Sequence, residues 1–186
     1  MKKILSNVLN QIIPIMIGVY LGFAVNNFGE NRKVRQQVKT YQEMLRIELE
    51  ENLKSLEQVK DYHINLSETF SNLLASDQIE KDFESTNFQG LKPGFVSSSA
   101  YQTGLQTGII QEFDLNFVQT LNRCYTLQDK YNTFNENLLS SFQSTKYPEK
   151  VDEIRSFLIT MRMNMNDIRY FEQDLQRQYS LILEAL

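Results

Sequence analysis

The 186-residue chain has no tryptophan, one cysteine, one histidine, three prolines and seven glycines, and each scarcity closes off a class of protein. A lone thiol, Cys124, makes no intrachain disulfide and builds no multi-cysteine metal cage. His63 is the only histidine, so a Ser-His-Asp triad has one possible centre. Asp61 lies on the wrong helix face to serve it, and no G-x-S-x-G elbow occurs. Di-metal bundles carry Glu-x-x-His elements on facing helices, and none is present. The stretch Gly90, Pro93, Gly94, Ser97–Ser99 lacks the G-K-[ST] ending that sets a lysine and a hydroxyl on phosphates. No catalytic, cofactor or metal site is expected, and the chain reads as a non-enzyme. Sparse glycine and proline also disfavour a many-turned β fold and favour long helices.

Acidic residues outnumber basic ones by 23 to 19, giving a net charge of −4. Phosphate binding needs a basic face, and the densest basic cluster here lies beside one short segment, so no nucleic-acid partner is expected. That segment is the most informative in the chain. Lys2 and Lys3 precede an apolar run, Ile12–Val25, and Arg32, Lys33, Arg35 and Lys39 follow it. The run has 14 residues, short of the roughly 20 that span a bilayer, but extending it back to Ile4 reaches that length. The extension takes in Ser6, Asn7, Asn10 and Gln11. At 100° per residue, Asn7, Gln11, Pro14, Gly18, Gly22 and Val25 share an arc of roughly 80°.

Two readings of that stripe stay open. Its amides sit among lipid headgroups, or the stripe is a packing face on which Gly18 and Gly22 let two helices approach closely. A polar pore lining is a third reading. The basic cluster suits anionic headgroups and, by the positive-inside rule, places the C-terminal domain in the cytoplasm of an inner-membrane, single-pass protein.

Beyond Gly29 the pattern is helical. Val34, Val38, Tyr41, Leu45, Leu49, Leu56, Val59, Leu66, Phe70 and Leu73 follow a helical period, so a helix over about 30–75 is expected. Continuous with the span, it makes a rod of roughly 105 Å. Residues 77–110 read as a loop, extended near Phe83–Phe88, then a short helix with N-caps from Ser97–Ser99 and an end at Gly108. Asp114 caps a helix over about 114–144. Pro148 suits the first turn of a last helix, 148–186, which has the strongest period in the chain.

The expected fold is all-α: an anchor at 1–29, then an antiparallel, coiled-coil-like bundle over 30–186. Asn52, His63, Gln128, Asn135 and Glu172 interrupt the apolar seams. His63 reads as a satisfied seam histidine, with a pH switch the alternative. Asn52 reads as a buried amide that fixes register. Glu43, Glu48, Glu50 and Glu51 read as a solvated acidic face, and Cys124 as an inert buried thiol.

Several short motifs resemble those of a family of uncharacterised single-span membrane proteins abundant in the Bacteroidota. Asn26, Asn27, Phe28, Glu30 and Arg32 match its N-N-W-N-E-x-R-like juncture, with Phe in place of Trp and Gly29 in place of Asn. Glu48, Leu49, Asn52 and Leu53 match an E-L-x-x-N-L element. Ala100, Tyr101 and Gly108, then Leu121 and Tyr125, match a later A-Y-x-x-L-x-x-x-G stretch and the helix after it, with Gly104 where leucine is usual. The resemblance implies the anchor and the helical domain, and it carries over no activity. The expected role is a scaffold or interaction subunit that self-associates through its span. A pore or effector subunit, or a ligand-sensing bundle with an exterior domain, is the alternative. Expected partners are the bilayer, further copies of the chain, and an unidentified membrane or cytoplasmic protein.

Overall fold

The computed structural model describes the backbone of residues 2–186 and the side chains of residues 16–23 and 26–186. The fold of the described residues is all-helical, without strands. Five α-helices follow in order: α1 (Lys2–Leu74), α2 (Ile79–Ser85), α3 (Ser99–Thr107), α4 (Leu115–Ser144) and α5 (Val151–Ala185), with a 3-10 turn at Ile109–Glu112. The chain divides into two compact units, residues 1–43 and 44–186.

In the first unit, Met16, Ile17, Val19, Tyr20, Leu21 and Phe23 are each more than half exposed. Arg32, Lys33, Arg35 and Lys39 are exposed as well. A Cβ added at Gly18 or Gly22 would meet nothing within 4 Å. Among the described residues no helix is long and apolar enough to cross a membrane. Asn7, Gln11 and Pro14, with the start of the apolar run, lie outside the described side chains.

The second unit is built on the expected seams. Leu45, Leu49, Leu56, Leu66 and Phe70 of α1 are buried, as are Leu121, Cys124, Tyr131 and Leu138 of α4. On α5 every seam position from Ile154 to Ile182 is buried, Glu172 included. Each buried large aliphatic side chain contributes about 1.5–3 kcal/mol, and three helices with one such stripe apiece can hide them only against each other.

The helix directions differ from the expected antiparallel bundle. Along α1, Glu48 and Asn52 meet Tyr125 and Gln128 of α4 in that order, so these two helices run parallel. His63 and Ser67 meet Glu172 and Asn166 of α5 in the reverse order, so α5 is antiparallel to α1. The cause is the connection between α1 and α4, which carries the chain back along the bundle before α4 begins. Its start also departs from expectation. Where an extended piece was expected at Phe83–Phe88, α2 occupies Ile79–Ser85 and buries Ile79 and Phe83.

Local chemistry sets the helix ends. The Ser76 hydroxyl accepts from Gln78 N–H and donates to Asp82, turning the chain out of α1 into α2. The Arg155 guanidinium donates to the Leu74 carbonyl at 3.2 Å, where α1 leaves carbonyls unpaired. Gly108 ends α3 at φ +75°, a conformation that favours glycine. Asp114 caps α4 by accepting from Asn116 N–H at 2.8 Å. Pro148 lies before α5 and not in its first turn, because the helix opens at Val151. There the Glu153 carboxylate reaches back to Glu149 N–H at 3.1 Å.

Candidate functional site

Residues 86–98 form no helix or strand, yet this strap is tucked against the long helices. A buried backbone must have its N–H and C=O groups paired, and a chain segment outside any ladder cannot pair them itself. The polar seam residues do it instead. As the strap runs from Gly90 to Ala100, its partners on α1 run backwards from Tyr62 to Glu48.

The first tie is at the strap's tightest point. Tyr62 donates its hydroxyl to the Gly90 carbonyl at 2.5 Å, and His63 Nε2 lies 2.9 Å from the Leu91 carbonyl. Gly90 sits at φ +88° and Lys92 at φ +45°, an uncommon state for a residue with a side chain. The Lys92 ammonium lies 4.5 Å from the centre of the Tyr62 ring.

The second imidazole nitrogen of His63 lies 2.9 Å from Glu172 Oε1, and both side chains are buried. The Leu91 carbonyl only accepts, so Nε2 carries a proton. The short Nδ1 contact then needs a second proton, shared with the carboxylate. Burial alone lowers the histidine pKa. The Glu172 hydrogen bond and charge, with the backbone of Leu91 and Lys92, outweigh it and hold the pKa above its ordinary value. The pair therefore holds its second proton more firmly than a free imidazole would. Tyr131 adds its hydroxyl to the same Oε1 at 3.3 Å and accepts from Gly94 N–H at 3.1 Å. Burial, first, and the Glu172 charge push the tyrosine pKa up, so it stays a donor.

Glycine fits closely at 94. A Cβ there would lie 3.0 Å from the Tyr131 hydroxyl, 3.1 Å from Leu56 and 3.3 Å from Val59. Tyr131 and Leu56 are fully buried and have nowhere to retreat.

The next tie is an amide pairing. Asn52 donates to the Ser97 carbonyl at 2.8 Å and accepts from Ser97 N–H at 2.7 Å, standing in for a neighbouring strand. Gln128 donates to the same carbonyl at 2.9 Å, and Tyr179 of α5 holds Gln128 Oε1 at 2.8 Å. Side chains of α1 and α4 thus meet on one carbonyl, and α5 braces the second of them.

The last tie corrects two expectations. Ser98 is the N-cap residue of α3 and makes no side-chain cap bond, while the Ser97 hydroxyl accepts from Ser99 N–H at 3.3 Å. The cap comes from Glu48, which accepts from Ala100 N–H at 2.7 Å and, at 3.5 Å, from Tyr101 N–H. Glu48 also accepts the Tyr125 hydroxyl at 2.7 Å. It is buried and so does not belong to the solvated acidic face, whereas Glu43, Glu50 and Glu51 are exposed. Its carboxylate faces the free N–H groups of a helix start, where negative charge is favoured. Tyr101 and Tyr125 stack beside it at 4.1 Å with rings nearly parallel.

Four of the five polar seam residues expected from the sequence therefore lie on this strap: Asn52, His63 and Gln128 bond to it, and Glu172 reaches it through His63 and Tyr131. Asn135 is buried on α4 with its Oδ1 unpaired among the described residues. The residue that sequence reasoning missed is Glu48. The available signal was its spacing, one turn before Asn52 and in phase with Leu45 and Leu56. Cys124 is buried, and burial with the Asp174 charge pushes its thiol up to about 12. Among the described residues no cluster of His, Cys, Asp and Glu could hold a metal ion. The chemistry of this network is that of a latch: most of its donors and acceptors are spent within the chain itself, with Glu172 Oε2 left without a partner among the described residues.

The motifs scattered as E-L-x-x-N-L, A-Y and the later tyrosine converge here, as Glu48, Asn52, Ala100, Tyr101 and Tyr125. No family model, curated protein or solved structure matches the chain.

Proposed function

We propose that the protein is a membrane-anchored helical scaffold, without catalysis, that self-associates through its N-terminal span. One observation carries this reading. Along residues 16–23 of α1, large apolar side chains stand exposed around the helix, and the sector they leave holds Gly18 and Gly22. A helix apolar nearly all round belongs in a core or a bilayer, and water is a poor solvent for a patch this continuous. The exposed basic residues that follow suit anionic headgroups, and they favour an inner-membrane, single-pass protein with a cytoplasmic C-terminal domain. The unfilled glycine face admits the backbone of a second copy.

The test is the mass of the full-length chain in mild detergent, with and without Gly18→Ile, alongside its partition between membrane and soluble fractions. A membrane-bound oligomer that dissociates on substitution supports the proposal. A monomer in both forms removes self-association, and recovery in the soluble fraction removes the anchor.

A further inference from the structure

The end of the bundle where α4 turns into α5 holds a hollow that the latch does not use. Its volume is about 290 Å³. Six rings from six segments line it: Phe70, Phe83, Phe88, Phe142, Tyr147 and Phe157. They form two runs of ring contacts. Phe88 lies 5.9 Å from Phe70 and 5.5 Å from Phe142, while Phe83 lies 5.4 Å from Tyr147 and 5.9 Å from Phe157. Side chains that served only as core would close to the density of an organic crystal, and these leave a gap open to one side.

The polar atoms at the rim define what the hollow would accept. Thr86 and Thr145 donate their hydroxyls to carbonyls one turn back, Asp82 and Ser141, both at 2.8 Å. Lys146 lies 3.8 Å from Glu149, and both are largely exposed, so its charge is already balanced in water. Among the described residues Lys146 is the one charged side chain of the lining. Gln143, exposed at the rim, makes no side-chain hydrogen bond among the described residues and is available to a ring N–H or hydroxyl.

We infer that this hollow binds a small, uncharged, flat aromatic molecule of about two fused rings. The rings of the wall offer edges and faces to such a guest. A dry apolar cavity of about 150 Å³ takes one benzene, and this one is about twice that size. Binding pockets of this kind are mostly apolar with a few convergent polar groups.

Indole is the probe. The chain contains no tryptophan, so indole excited beyond the tyrosine absorption edge reports on itself alone. Full-length protein in mild detergent is titrated against detergent-only blanks. The expected result is a saturable, one-to-one rise in indole anisotropy with a blue-shifted emission. Thr145→Phe, at an exposed rim position, plugs the mouth and should weaken binding by about tenfold or more. Phe83→Leu, which removes a ring from the wall, is the second variant, and circular dichroism identifies which of the two folds. Saturable binding that is lost in a folded variant supports the site. No saturable signal in the wild type, or equal binding in wild type and folded variants, overturns it.

Discussion

His63 and Glu172 stand 109 positions apart in the chain and 2.9 Å apart in the fold, joined by one proton. The imidazole's other nitrogen is committed to Leu91, so the pair fastens the strap to α1 and α5 together. Removing one member strands the other in a dry interior. His63→Leu is expected to cost about 3–5 kcal/mol in urea unfolding. Replacing both by leucine should cost less than either single change, because no buried charge is left alone.

The pair also sets a pH dependence. The folded pKa of His63 is raised above its ordinary value of 6.5, so the folded state holds the proton more tightly than the unfolded chain. The stabilisation is complete below about 6.5 and is lost as pH rises through the folded pKa. Unfolding free energies of the wild type and His63→Gln, measured from mildly acidic to alkaline pH, should therefore converge towards the alkaline end. A gap that stayed constant or widened would show that the pair carries no proton.

Glu48 caps α3 from another helix, so its loss should be felt far away in sequence. Glu48→Ala is expected to cost about 1–3 kcal/mol, the price of unpaired buried donors. Hydrogen exchange should accelerate at Ala100 and Tyr101 while the middle of α5 stays protected. Uniform acceleration through the domain would assign Glu48 a general role in stability.

Gly94→Ala should destabilise by about 1–3 kcal/mol, because the new methyl group meets Tyr131, Leu56 and Val59 at once. Gly90→Ala is a contrasting case: its Cβ meets nothing within 4 Å, and only the left-handed backbone opposes it. Thermal unfolding of the two variants separates crowding from backbone strain.

Cys124 should resist a thiol reagent until the domain unfolds, given its burial and raised pKa. Labelling rates across a urea series would then track global unfolding, and fast labelling in native buffer would contradict the packing.

The three long helices and the polar interruptions in their seams were legible because both rest on a period of 3.6 residues. Three of the interruptions, Asn52, His63 and Gln128, marked where backbone is satisfied, although not whose backbone it was. Helix direction was hidden, since a seam reads the same in either sense. Only the length of the connection between Leu74 and Leu115 allowed for a return path. The strap was invisible as structure because its conformation is written in residues elsewhere: Asn52, His63, Gln128 and Tyr131. Glu48 was masked by its acidic neighbours, which are solvated as a charge run ordinarily is.

The opposed directions of α1 and α5 have a mechanical consequence. Within residues 44–186 the chain arrives along α1 at the end where α5 finishes, near Leu186. A pull applied between those two points loads the seam from one edge, as tape is peeled, and does not spread across every turn at once. The ties at Glu48 and Tyr179 would give first, His63 and Glu172 later, and the aromatic end last. Pulled in this way the unit opens stepwise, and the strap is released from its Ala100 end back towards Gly90.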